Sequence, residues 1–140
     1  MFYIDTSVLA AYYCPEPLSG RAEAFLRAAR EPGISSLVEV ELFSALSRKV
    51  REGALDGADA KRISAKFLSH LNEGIYRTYS LESHHFALAR EWLGLFALPL
   101  RTLDALHLSL VSQNDLTIVT SDRALAKVAE QLGVRSHFLR

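Results

Sequence analysis

Cysteine is almost missing from this 140-residue chain: Cys14 stands alone, so no internal disulfide is available. A reducing compartment agrees with that scarcity. A small buried apolar side chain is the role expected of Cys14. Long apolar runs are also missing. The longest, Val8 to Cys14 and Trp92 to Leu98, fall well short of the ~18 residues a membrane span requires. Met1-Phe2-Tyr3-Ile4 meets Asp5 at once, without a basic leader or an extended apolar region, so a secretory signal is not expected and a cytoplasmic location is. An excess of charge is lacking too. Sixteen basic and sixteen acidic side chains cancel, so a polyanionic partner would need a local basic patch or a bound cation. Arg48, Lys49 and Arg51 form the nearest such patch, although cations at a helix end also complement its dipole.

What is present fits one compact domain over residues 1–140. Apolar residues make up 49% of the chain, and a domain of this length buries roughly two-thirds of its unfolded surface. Short β-like segments are read near Phe2 to Asp5, Gly33 to Ser35, Ile75 to Tyr79, Leu116 to Thr120 and Val134 to Phe138. Helices are expected over Ser7 to Tyr13, Ser19 to Arg30, Leu37 to Glu52, Asp56 to Asn72, Glu82 to Ala97, Leu103 to Gln113 and Asp122 to Leu132. Such alternation is the signature of a parallel sheet covered by helices, with right-handed crossovers. Pro15 and Pro17 interrupt the first helix, and Gly53, Gly57 and Gly133 mark later boundaries. Ile63, Phe67 and Leu71 recur every four residues, with Lys61, Arg62 and Lys66 on other faces, which predicts an amphipathic helix packed on a neighbour.

Four carboxylates sit where strands or apolar segments meet helices. Asp5 follows an apolar strand, and the carboxyl edge of an open α/β sheet is where ligands bind. Thr6 or Ser7 could cap the next helix or hold a metal-bound water, with capping preferred. Asp122 repeats the pattern after Leu116 to Thr120, and Asp104 falls in a first helical turn, where the dipole favours its ionised form. Between Glu39 and Glu41, the sequence Ser36-Leu37-Val38-Glu39 fits a capping box, which gives Glu39 a structural task. Glu41 lies on the stripe between Leu37 and Ala45 that should face the sheet, and it is favoured for the site because a carboxylate there needs a partner.

Two carboxylates ~5 Å apart repel by about 3 kcal/mol at an effective dielectric near 20. Protonation or a hard divalent cation would offset that, and Mg²⁺ or Mn²⁺ prefers oxygen donors. No Cys/His zinc pattern competes. His70, His84, His85 and His137 are expected at the surface or in packing. His107, three residues after Asp104, could orient a carboxylate or phosphate, with helix packing the preferred role. An all-carboxylate site for one or two metals suits phosphodiester hydrolysis.

These residues resemble the PIN-domain ribonucleases, and among them the VapC-type toxins of toxin-antitoxin pairs. The likeness rests on Phe2-Tyr3-Ile4-Asp5-Thr6-Ser7, Ile34-Ser35 with Glu41-Leu42, Leu103-Asp104-Ala105-Leu106-His107-Leu108 and Val119-Thr120-Ser121-Asp122-Arg123. It implies an α/β, PIN-like three-layer fold whose central parallel five-stranded sheet is flanked by helices. It also implies a Mg²⁺- or Mn²⁺-dependent endoribonuclease with catalytic, metal-binding Asp5, Glu41, Asp104 and Asp122, and polar support near Thr6 and Thr120. An RNA substrate, a homodimer and a cognate antitoxin follow from the same likeness, with DNA contacted only through the antitoxin. A noncatalytic PIN-like module for RNA or protein is the alternative. Phosphatases of the haloacid dehalogenase type need a second Asp where this chain has Ser7, and response-regulator receivers need a phosphoacceptor Asp where it has Tyr79-Ser80-Leu81.

Overall fold

A computed structural model describes residues 1–140. Three-residue strands alternate with helices: β1 (Phe2–Ile4), α1 (Thr6–Tyr13), α2 (Ser19–Ala28), β2 (Gly33–Ser35), α3 (Ser36–Arg51), α4 (Gly57–Asn72), β3 (Arg77–Tyr79), α5 (Ser83–Leu93), α6 (Thr102–Gln113), four-residue β4 (Thr117–Thr120), α7 (Arg123–Gln131) and β5 (Ser136–Phe138). All five expected strands and all seven expected helices form. The strands pair in parallel in the order β3-β2-β1-β4-β5.

That order has a consequence for position. The chain steps outward from β1 to β2 and β3, then returns across β1 to place β4 on its other side. With right-handed crossovers, α1 to α4 cover one face of the sheet and α5 to α7 the other. The reversal falls between β1 and β4, and in open parallel sheets a crevice opens there beyond the carboxyl ends of the strands. Phe2, Tyr3 and Ile4 pair with Thr117, Ile118 and Val119, and the Asp5 amide extends the ladder to the Val119 carbonyl at 2.9 Å.

Burial explains why strands so short hold. Tyr3, Ile4, Ile34, Ile118 and Val119 are fully buried and join Val8, Leu9, Val38, Leu42, Phe67, Leu108 and Leu110 in a core cluster of 26 residues. The amphipathic α4 turns Ile63 and Phe67 inward, and the Phe67 ring meets Tyr13 edge-on with centroids 5.5 Å apart. Cys14 is buried at the end of α1, and burial pushes its thiol up. No helix is long and apolar enough to cross a membrane.

Several boundaries differ from expectation. The helix expected over Glu82 to Ala97 stops at Leu93, because Gly94 forms its C-cap and Phe96 takes a left-handed φ of 52°. Its N-terminus is a capping box in which the Glu82 amide donates to His85 Nδ1 at 2.9 Å. The capping box expected at Ser36 and Glu39 is absent. Ser35 is the N-cap of α3, yet it makes no capping bond from its side chain, since its hydroxyl engages Tyr3 instead. Asp56 does cap α4, accepting from the Asp59 amide at 2.7 Å.

Close packing of β2 between β1 and β3 depends on Gly33. A Cβ there would lie 2.7 Å from a Tyr79 ring carbon and 3.0 Å from the Phe2 carbonyl oxygen. Gly33→Ala is therefore expected to lower folding stability by about 1–3 kcal/mol through overpacking, read as a reduced urea midpoint with an unchanged slope.

Candidate active site

The carboxyl ends of β1 and β4 bring Asp5 and Asp122 to one edge of the sheet. α3 and α6 begin near that edge and contribute Glu41 and Asp104. Asp5 is the backbone N-cap of α1, but its side chain does not cap. Instead Ser7 Oγ donates to Asp5 Oδ2 at 2.6 Å and Thr120 Oγ1 donates to the same oxygen at 2.7 Å. Those hydroxyls are fixed in turn: the Ser121 amide donates to Ser7 Oγ at 3.0 Å, and the Asp122 amide donates to Thr120 Oγ1 at 3.0 Å. Asp5 is thereby tied to the backbone that presents Asp122.

Glu41 is held in a comparable way. Thr6 Oγ1 donates to Glu41 Oε1 at 3.0 Å, and His107 Nε2 bonds to the same oxygen. Burial pushes the Glu41 carboxyl up, but the bond and charge of His107 and the Thr6 hydroxyl outweigh it, so its pKa falls below the ordinary value. The capping roles preferred for Thr6 and Ser7 in the sequence therefore need correction. The hydroxyls donate to carboxylates rather than cap α1, because Asp5 occupies the N-cap position and Thr6 and Ser7 lie inside the helix. His107 is packed, being 1% exposed, and it also binds the acid.

Asp122 accepts the Ala124 and Leu125 amides on Oδ1, at 2.9 and 3.2 Å, so it caps α7 with one oxygen. Asp104 lies in the first turn of α6, with Arg101 Nε 3.5 Å from its Oδ2. Burial pushes the Asp104 carboxyl up; Arg101 opposes this, while the negative charges of Asp122 and Asp5 add to it. That mutual influence links the acids from β1, α6 and the end of β4 electrostatically. Glu41 and Asp104 line one open cleft with Arg101, Thr102 and Leu103, and Thr6, Glu41, Arg48 and Leu103 line the next.

The same division recurs at Asp5, Glu41 and Asp122. Both donors fall on one carboxylate oxygen, and the other oxygen carries no protein hydrogen bond. Donors of this kind suit a hard divalent cation, which takes carboxylate oxygens singly or in pairs. The four side chains do not stand gathered at coordination distance: no group of three or more potential ligands closes around one point. The chemistry of these donors and the negative charge they share thus fit a hard cation, although the side chains are not gathered around one point. Glu39 is half-exposed outside this set. His70 bonds to Tyr13 and His137 packs against Phe25, as expected for histidines in packing roles. His84 stacks on His85, and His85 is itself buried.

An open parallel sheet with acids at its switch point defines the class of the molecule, and the sequence names the family. The PIN domain profile matches residues 2–131, and the chain belongs to that family. No curated protein sequence matches it. Among solved structures it is similar to Mycobacterium tuberculosis VapC20, described as a sarcin-ricin loop cleaving toxin, with 18% identity over 91% of this chain and 95% of that one and a TM-score of 0.73. It is also similar to FitAcB from Neisseria gonorrhoeae, with 18% identity, 97% and 96% coverage and a TM-score of 0.72. VapBC2 from Rickettsia felis, bound to a fragment of promoter DNA, matches over 100% of both chains with 17% identity and a TM-score of 0.71. The α/β fold with its central five-stranded parallel sheet is the one these proteins share.

Thr120 joins the two strand-end acids, so Thr120→Val removes a donor from Asp5 and an acceptor from the Asp122 amide together. Stability is expected to fall by about 1–3 kcal/mol, measured by urea unfolding beside Thr120→Ser, which should keep most of it.

Proposed function

We propose that this chain is a metal-dependent endoribonuclease and the toxin member of a type II toxin-antitoxin pair. Asp5, Glu41, Asp104 and Asp122 are its catalytic and metal-binding residues, and Mg²⁺ or Mn²⁺ is the cofactor. The observation that carries this reading is the shared division of labour at three carboxylates, each with one oxygen anchored by two donors and one oxygen free. Membership of the PIN domain family supports it. So do the sarcin-ricin loop cleaving toxin and the DNA-bound VapBC complex among the similar structures.

A bound divalent cation lowers the pKa of water and stabilises charge on the attacking and leaving oxygens of a phosphodiester. The chain's own part is to hold ligands in place. Ser7 and Thr120 orient Asp5, Thr6 and His107 orient Glu41, and the first turn of α7 orients Asp122. Asp104, pushed toward the neutral form by burial and by Asp122 and Asp5, is the acid whose ionisation most needs positive charge nearby. Arg101 and Arg48 at the rims of the two adjoining clefts supply cations for the flanking phosphates of RNA, which net neutrality elsewhere does not. The wider reading includes a homodimer acting in the cytoplasm, with a cognate antitoxin that carries any contact with DNA.

Cleavage of defined RNAs with Mg²⁺ or Mn²⁺, and none after chelation, is the expected behaviour. Asp5→Asn should lose more than the roughly 100-fold typical of a group that only orients a ligand, whereas Glu39→Gln should cleave at the wild-type rate. Equal cleavage by Asp5→Asn would overturn the reading. A separate check uses heat: free Mn²⁺ at 100 times its Kd should stabilise the fold by about 2.7 kcal/mol, and Asp104→Asn should diminish that gain in a calorimetric scan.

A further inference from the structure

Resting on the reading of Glu41 as a cation ligand, we infer that His107 and Tyr3 form a buried positioning pair that decides which oxygen of Glu41 faces the cation. Ser35 Oγ and Tyr3 Oη lie 2.7 Å apart, Tyr3 Oη and His107 Nδ1 lie 2.7 Å apart, and His107 Nε2 meets Glu41 Oε1. Ser35 and Tyr3 are fully buried and His107 is 1% exposed. The line therefore joins β2, β1 and α6 to a carboxylate on α3.

Packing alone does not account for this arrangement. Leu106, Leu108 and Leu110 fill the neighbouring buried positions of α6, and a leucine at position 107 would avoid the cost of burying an imidazole. Both ring nitrogens are instead satisfied, and the only orphaned buried side-chain polar atom in the molecule is His85 Nε2. Facing an ionised carboxylate, Nε2 carries hydrogen whether the ring is neutral or charged. Tyr3 accommodates either state. Its hydroxyl donates to a bare Nδ1 while accepting from Ser35, or accepts from a protonated Nδ1 while donating to Ser35. Either state of the ring thus keeps an N–H on Oε1, and Oε2 is left to the site. A glutamate without such anchors samples many rotamers, so the pair acts by confining Glu41. His107 and Tyr3 touch neither cation nor substrate in this scheme and are positioning residues.

Mn²⁺ titrated calorimetrically into the full-length protein tests this without any RNA. His107→Leu should weaken Mn²⁺ binding about 10- to 100-fold. His107→Gln, whose amide can place an N–H near Nε2, should recover most of that loss. Tyr3→Phe, which keeps the ring and removes one buried hydrogen bond, should weaken binding about twofold to tenfold. A structural role alone would shift the melting temperature but would not separate Gln from Leu in cation affinity. Wild-type affinity in folded His107→Leu, or equal affinity in the Gln and Leu variants, would overturn the inference. Should His107→Leu fail to fold, unchanged affinity in Tyr3→Phe would do so. No Mn²⁺ binding by the wild-type protein would instead remove the carboxylate-site reading and this inference with it.

Discussion

The site depends on the pairing of β1 with β4, two strands whose residues lie more than a hundred positions apart in the chain. Pairing them in parallel places both carboxyl ends on one edge, and the chain's reversal at that seam leaves no helix filling the space beyond it. Thr120 then converts backbone register into side-chain position, because its hydroxyl bridges the Asp5 carboxylate and the Asp122 amide. A slip of one residue would turn Thr120 to the opposite face of the sheet.

Like charge is the opposing constraint. Acids that influence one another, as Asp104, Asp122 and Asp5 do, tend to drive their side chains apart or take up protons. Hydroxyls from Ser7, Thr6 and Thr120, an imidazole and two helical amides counter that tendency at Asp5, Glu41 and Asp122 while using only one oxygen of each of the three. The donors thereby stabilise negative charge and leave the second oxygen without a protein hydrogen bond. Arg101 tempers Asp104 from the surface, where solvent screening keeps its effect modest.

Much of this was legible in the residues. Alternating apolar segments and helical periodicities disclosed the parallel α/β sheet, since each strand is an apolar run bounded by turn or capping residues. Other features depended on tertiary partners that local pattern cannot reveal. Ser36 and Glu39 have capping-box spacing, yet the preceding Ser35 occupies the N-cap position and Tyr3 claims its hydroxyl. Thr6 and Ser7 have the composition of caps, but Asp5 takes the N-cap position and leaves them inside α1. His107 sits among leucines and reads first as packing, with a carboxylate contact as the second reading; its bonds to Tyr3 and Glu41 show both. The unbroken apolar character past Leu93 hid the end of α5, although Gly94 marked it. The position of the four acids relative to strand ends was readable, whereas which oxygen of each is free emerged from distances alone.

The long sequence separation across the β1–β4 seam also bears on how the molecule comes to exist. During synthesis, Asp5 and Glu41 leave the ribosome well before Thr120, and domains of this kind fold as units only after their distant segments have emerged. Until β4 arrives, Asp5 lacks the Thr120 donor and Asp122 has not been made. A growing chain would therefore hold Asp5 without one of its two hydroxyl donors until β4 has paired with β1.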